Sequence, residues 1–287
     1  MATVVSFINM KGGVGKTTLA SQIAHAADLR NLRVLAVDLD PQSNLSQSLM
    51  QPRKYVEHIR LNKPTVVNIF EGYRPASSTD PSPTPIEIED VIVSKVGPWT
   101  DSTLDLIPSR LELASGVLKN PTGKERRLAK ALSRVAKNYD LIIIDCAPTE
   151  SILTDAAYYA SRYLLVPMKP EFMAAIGLPL LARSLETFKH ENDDHELEIC
   201  GIVFNHSSSY STGPEGTQSI KEVSTFAKAK GWPVFDTHVH YSASFSTSAR
   251  AGRPLSRTKR ARTTVKNNLD SFAAEFFKSI NLGVLSP

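Results

Sequence analysis

Apolar residues along this chain fall into short continuous runs separated by longer amphipathic stretches. Runs of Val, Ile and Leu that are apolar at consecutive positions mark strands covered on both faces. The predicted strands are Thr3–Ile8, Arg33–Val37, Thr103–Ile107, Leu141–Ile144, Tyr163–Val166, Ile199–Phe204 and Pro233–Thr237. Helical patterning predicts Lys16–Leu29, Leu45–Met50, Val66–Phe70, Lys124–Lys137, Ile152–Ala160, Ala174–Lys189, Pro214–Lys230 and Arg262–Ile280. The alternation predicts an α/β fold: a doubly wound, mainly parallel sheet with helices on both faces and ligands at the C-terminal strand ends. Gly72–Pro85 is rich in Pro, Ser and Thr and predicts a surface loop. The sheet pattern resumes after it, so residues 1–287 are expected to form one domain carrying an insertion.

Between the first predicted strand and helix lies Lys11-Gly12-Gly13-Val14-Gly15-Lys16-Thr17-Thr18. Strand, glycine-rich turn and helix is the context in which such a loop binds phosphate. Its glycines let backbone N–H groups approach phosphate oxygens with no Cβ in the way. Lys16 can reach the β- and γ-phosphates, and the Thr17 hydroxyl can ligate Mg²⁺. The general loop pattern carries glycine six residues before the lysine, where this chain has Met10, and Lys11 adds a second cation.

This run resembles the deviant Walker A motif of the ParA/MinD superfamily of P-loop ATPases, and the chain is similar to its short, Soj-like ParA members. The resemblance implies ATP and Mg²⁺ as ligands and an ATP-sandwiched homodimer in which Lys11 reaches the partner's nucleotide. Val37-Asp38-Leu39-Asp40-Pro41-Gln42 places two carboxylates on one side of a strand end. It resembles the family's first switch segment, which implies that Asp40 positions the hydrolytic water and Asp38 supports the magnesium shell. Leu141–Asp145 is an apolar strand ending in a carboxylate, which would bind Mg²⁺ through water. Cys146-Ala147-Pro148-Thr149-Glu150 resembles the second switch, with Ala147 where relatives carry a proline. Asn205 ends a strand-like run, and in relatives an asparagine at this place reads the adenine edge. Pro233–Asp236 is a candidate second wall of the base pocket.

The net charge of +4 and pI near 9.0 permit an anionic partner without requiring one. Cys146 and Cys200 lie in apolar runs, which suits buried thiols in a reducing compartment. The first strand starts at once, leaving no room for a signal peptide or a DNA-reading domain ahead of the loop, and no apolar stretch reaches membrane-span length. The expectation is a cytoplasmic protein.

From Thr237 to Leu269 there is no Asp or Glu, while Arg250, Arg253, Arg257, Lys259, Arg260, Arg262 and Lys266 fall there. Such a stretch, rich also in Ser and Thr, reads as a phosphate-backbone surface without base readout, or as a solvated face. The resemblance adds nonspecific DNA binding by the ATP dimer on the nucleoid, a ParB-like activating partner, and a role in plasmid or chromosome partition. Two alternatives share the motifs: an orphan relative that positions another cargo, such as a chemotaxis cluster or a carboxysome, and a MinD-like membrane switch. Val265, Leu269, Phe272, Phe276 and Ile280 form one helical stripe. The helix has mixed charge and lacks the basic polar face of a membrane anchor, so the stripe is expected to pack on the sheet. Lys124, Arg126, Arg127, Lys130 and Arg134 read as a solvated helix face. His206, His238 and His240 lack the Cys or carboxylate that would complete a metal set.

Overall fold

The computed structural model describes residues 1–74, 84–118, 123–171, 174–207, 213–259 and 261–283. Seven strands form the main sheet: β1 (Thr3–Phe7), β2 (Val34–Leu39), β3 (Leu104–Ile107), β4 (Leu141–Cys146), β5 (Tyr163–Met168), β6 (Glu198–Ser207) and β7 (Val239–His240). The helices are α1 (Lys16–Asp28), α2 (Asn44–Met50), α3 (Pro52–Arg60), α4 (Val66–Glu71), α5 (Ile88–Val91), α6 (Leu113–Leu118), α7 (Arg127–Val135), α8 (Ile152–Ala160), α9 (Ala174–Glu191), α10 (Gly213–Lys230), α11 (Ser244–Ala251) and α12 (Thr263–Ser279).

In these labels the strand order is 3-2-4-1-5-6-7, and every neighbouring pair is parallel. The continuous apolar runs follow from this, because successive side chains enter opposite cores. Leu35, Val37, Ile142 and Ile144 enter a core that α4, α7, α8 and α9 cover. Val34, Ala36, Leu141 and Ile143 enter a second core covered by α1, α2 and α12. The stripe on α12 is buried in that second core, where Phe276 packs on Phe7 with ring centroids 5.8 Å apart.

The structure corrects several expected boundaries. Pro233–Thr237 is not a regular strand: only Val234 bridges Ile202, and the edge strand proper is Val239–His240. Pro233 lacks an N–H for a ladder, and the Phe235 ring occupies the space over Gly201, where an added Cβ would meet it at 2.0 Å. The helix expected over Lys124–Lys137 is α7 followed by a 3₁₀ turn at Ala136–Asn138. Helices α3, α5, α6 and α11 have no predicted counterpart. In the expected loop Gly72–Pro85, Tyr73 and Arg74 pair antiparallel with Pro85 and Thr84; residues 75–83 lie outside the described residues.

Candidate nucleotide-binding site

The loop between β1 and α1 is shaped by positive backbone angles at Gly13 (φ 72°) and Gly15 (φ 97°). Gly15 is constrained twice, since a Cβ there would sit 1.9 Å from the Asn205 amide nitrogen. That amide donates to the Val14 carbonyl at 2.8 Å, and Asn205 is buried. In this structure Asn205 therefore pins the loop to the end of β6. The first N–H groups of α1 have no side-chain cap and remain available to an anion.

Lys16 is 6% exposed, and its Nζ donates to the carbonyls of Asn9 at 3.0 Å and Lys11 at 3.1 Å. Burial lowers its pKa, while Asp145, Cys146 and Asp40 pull the other way. An ammonium stabilised only by carbonyls and nearby carboxylates is matched to incoming phosphate.

Parallel register sets Asp38 directly opposite Asp145 on neighbouring strands, both fully buried. Asp38 Oδ2 accepts from the Ser46 N–H at 2.7 Å and the Ser46 hydroxyl at 2.6 Å, which fixes the start of α2. Ser46 Oγ in turn accepts from the Ser109 N–H at 2.9 Å. Burial pushes the Asp38 carboxyl up to about 7 against these hydrogen bonds. Asp145 differs in having neither oxygen within a well-formed hydrogen bond. Burial first, and the Asp38 charge second, raise it well above the usual carboxylate range, while the Thr17 hydroxyl and Lys16 favour its charged form.

A buried carboxylate with unpartnered oxygens beside a threonine hydroxyl fits an octahedral Mg²⁺ shell held through water. Among the described residues no three His, Cys, Asp or Glu side chains gather to cage a metal. Mg²⁺ would thus depend on phosphate oxygens as well as on Thr17 and Asp145.

A cleft of about 610 Å³ opens over the loop. Gly12, Gly13, Gly15, Lys16, Thr17 and Thr18 form its floor, and Asp40, Gln42 and Asn44 one side. Asp40 is 7% exposed and holds the turn through the Gln42 N–H at 2.8 Å. His206, Phe245, Ala249 and Arg250 also line the cleft. Gln22, which lines it too, ties α1 to α11, with Nε2 donating to Ser248 at 3.1 Å and Oε1 accepting from the Leu255 N–H at 2.8 Å.

The predicted residues thus divide into three groups. Gly12, Gly13, Gly15, Lys16, Thr17, Thr18 and Asp40 line one cleft. Asp38, Asp145, Val14 and Asn205 do not line it and are buried beside or behind it. Lys11 is bonded elsewhere, to Glu171. Of the basic set, Arg250 turns out to line the cleft, while Arg253, Arg257, Lys259 and Arg262 are exposed and Lys266 is half-buried. Arg260 lies outside the described residues. Sequence reasoning missed Gln22, Ser46, His206 and Phe245. Only Ser46 had a local signal, as a hydroxyl at the start of a helix that follows the carboxylate pair.

An AAA-domain family model (AAA_31) matches residues 2–199. The sporulation initiation inhibitor protein Soj of Bacillus subtilis is 30% identical over 89% of this chain and 90% of its own. Apo McdA of Cyanothece has the same fold, with a TM-score of 0.77 at 18% identity over 96% of this chain and all of its own. Cobyrinic acid a,c-diamide synthase of Mycobacterium smegmatis, solved with bound ADP and magnesium, aligns at 26% identity with a TM-score of 0.67, over 88% of this chain and 92% of its own. With its phosphate loop, paired strand-end carboxylates and 3-2-4-1-5-6-7 sheet, the chain belongs to the ParA/MinD family of P-loop ATPases, homologous to the Soj and ParA partition ATPases.

Proposed function

We propose that this protein is a ParA-type partition ATPase. ATP binding drives homodimerisation, the dimer binds DNA without sequence preference, and hydrolysis, stimulated by a ParB-like partner, releases it. Its place is the cytoplasm, on the nucleoid when ATP is bound. One observation carries the reading: α11 is at once a wall of the nucleotide cleft and the start of the acid-free basic stretch. Occupancy of the cleft can therefore bias the basic surface through Phe245, Ala249 and Arg250. The apolar face of α12 is buried in the core, which favours packing on the sheet over a membrane anchor at that helix. No helix among the described residues is long and apolar enough to cross a membrane.

The chemistry asked of the chain is positioning and charge stabilisation. Lys16 and the loop N–H groups hold the β- and γ-phosphates. Thr17 and Asp145 hold Mg²⁺, which when bound neutralises charge on the phosphate oxygens, with Asp38 beside them fixing α2. Asp40 orients the attacking water, and Asn205, bonded to the Val14 carbonyl behind the loop, holds the loop in shape. Lys11 acts on the partner's nucleotide, so hydrolysis is slow until two chains meet. Sedimentation of the full chain with ATP, ADP and no nucleotide tests this. A dimer formed with ATP alone is expected; one mass in all three conditions would overturn the reading.

A further inference from the structure

Lys11 opens the phosphate loop, yet it does not line the cleft that Gly12, Gly13 and Lys16 line. Its Nζ donates instead to Glu171 Oε1 at 2.8 Å, across 160 positions of sequence. Both ends of this link are tied to the frame. The Lys11 N–H donates to Asn9 Oδ1 at 2.9 Å, and Asn9 Nδ2 donates to the Pro167 carbonyl at 2.7 Å. The Glu171 carbonyl accepts from the Ser219 hydroxyl of α10 at 3.0 Å. One ion pair thus joins the phosphate loop, the segment after β5 and α10.

The surroundings of Glu171 are cationic. The Lys11 hydrogen bond foremost, with Lys169 and the cleft residue His206, holds its carboxyl below the usual range. The two side chains of the pair are 31% and 47% exposed, so water and incoming anions can reach it. A pair this exposed is worth only about 1.4- to 5-fold in an equilibrium constant. That is enough to bias the ammonium at rest, and little enough for phosphate oxygens to compete for it.

The geometry points to Glu171 as a positioning residue that holds Lys11 away from its own phosphate cleft, and that gives Lys11 up to phosphate when two ATP-bound chains meet. The inference rests on the ATP-dimer reading above. In this arrangement Lys16 serves the nucleotide of its own chain, and Lys11 stays paired until an anion richer in charge than one carboxylate is within reach. Resting chains are thereby kept from premature dimerisation, and the carboxylate given up is half exposed to water and close to Lys169 and His206.

The test is Glu171→Gln in the full chain, which keeps the shape and removes the charge. Three quantities are read: binding of a fluorescent ATP analogue to dilute protein, the dimer dissociation constant with ATP by sedimentation, and hydrolysis without DNA or partner. Analogue binding is expected to match wild type. The dimer constant is expected to fall about 2- to 25-fold, two links being released per dimer. Hydrolysis at sub-saturating protein should rise with it. In a Lys11→Gln background the same change should have no effect, which a merely structural role for Glu171 does not predict. Glu171→Ala repeats the test if the first variant melts early. Wild-type dimerisation and hydrolysis in both Glu171 variants, with analogue binding intact, would overturn the positioning role alone. A wild-type chain that binds no analogue would instead remove the ATP reading beneath it.

Discussion

The nucleotide cleft and the basic stretch meet at α11, yet the two obey different physics. In the cleft, function rests on buried groups with fixed partners: Asp38 on Ser46, Asn205 on Val14, Lys16 on two carbonyls. Each such group is costly to misplace, because a buried polar atom that loses its partner keeps the desolvation penalty. The basic stretch consists largely of exposed side chains, whose effect in the proposed function would be a sum of similar phosphate contacts. Single changes should therefore be severe and qualitative in the cleft, and small and additive outside it.

The largest expected effect comes from Lys16→Ala. With the phosphate-binding ammonium removed, ATP affinity by titration calorimetry and hydrolysis should both fall by about 100-fold or more. Retained affinity would break the assignment of the loop. Asp40→Ala should still dimerise with ATP by sedimentation, with hydrolysis reduced about 100-fold. Wild-type turnover in that variant would take the water-orienting role from Asp40.

Gly15→Ala separates strain from chemistry. Its φ of 97° and the 1.9 Å approach to Asn205 predict a stability loss of about 2–4 kcal/mol in urea unfolding, before any nucleotide is added. A comparable effect comes from His25, buried on α1 with neither ring nitrogen partnered and its pKa lowered by burial to about 4. The folded state holds it neutral while the unfolded chain protonates near 6.5, so its contribution to stability is present above pH 6.5. It is lost as the pH falls from 6.5 to 4, by about 3 kcal/mol in all. His25→Leu should flatten that part of the stability–pH curve, and an unchanged curve would contradict the assignment.

The smallest effects sharpen the comparison most. Arg253→Ala and Arg257→Ala should leave ATP affinity unchanged, weaken DNA binding modestly, and lower the salt slope by about 0.9 each. Arg250→Ala should disturb both ATP and DNA binding, because Arg250 belongs to both regions. An effect on DNA alone would detach α11 from the nucleotide.

The same contrast explains what could be read from the sequence. The sheet was legible because strands buried on both faces must be continuously apolar, and β1, β2, β4 and β5 each fall on a predicted run. The loop's shape was legible because its glycines take the positive backbone angles at Gly13 and Gly15, the geometry on which the proposed roles of Lys16 and Thr17 depend. Helix α3 escaped notice because it is short, polar on balance and mostly exposed, with His58 its only buried residue. Helix α11 owes its place to Gln22 reaching Ser248 across 226 residues, which no local pattern records. For the same reason Arg250 could not be separated in sequence from the other arginines of its stretch. Glu171 likewise gains its meaning only from a contact made through the fold.

The central claim is that nucleotide in the cleft governs the basic surface. It is tested most directly by binding of the full chain to nonspecific duplex DNA with ATP, with ADP and without nucleotide, over a salt series. Tight binding with ATP alone, weakening steeply as salt rises, is the predicted result. Equal binding in all three conditions, or none in any, would contradict it.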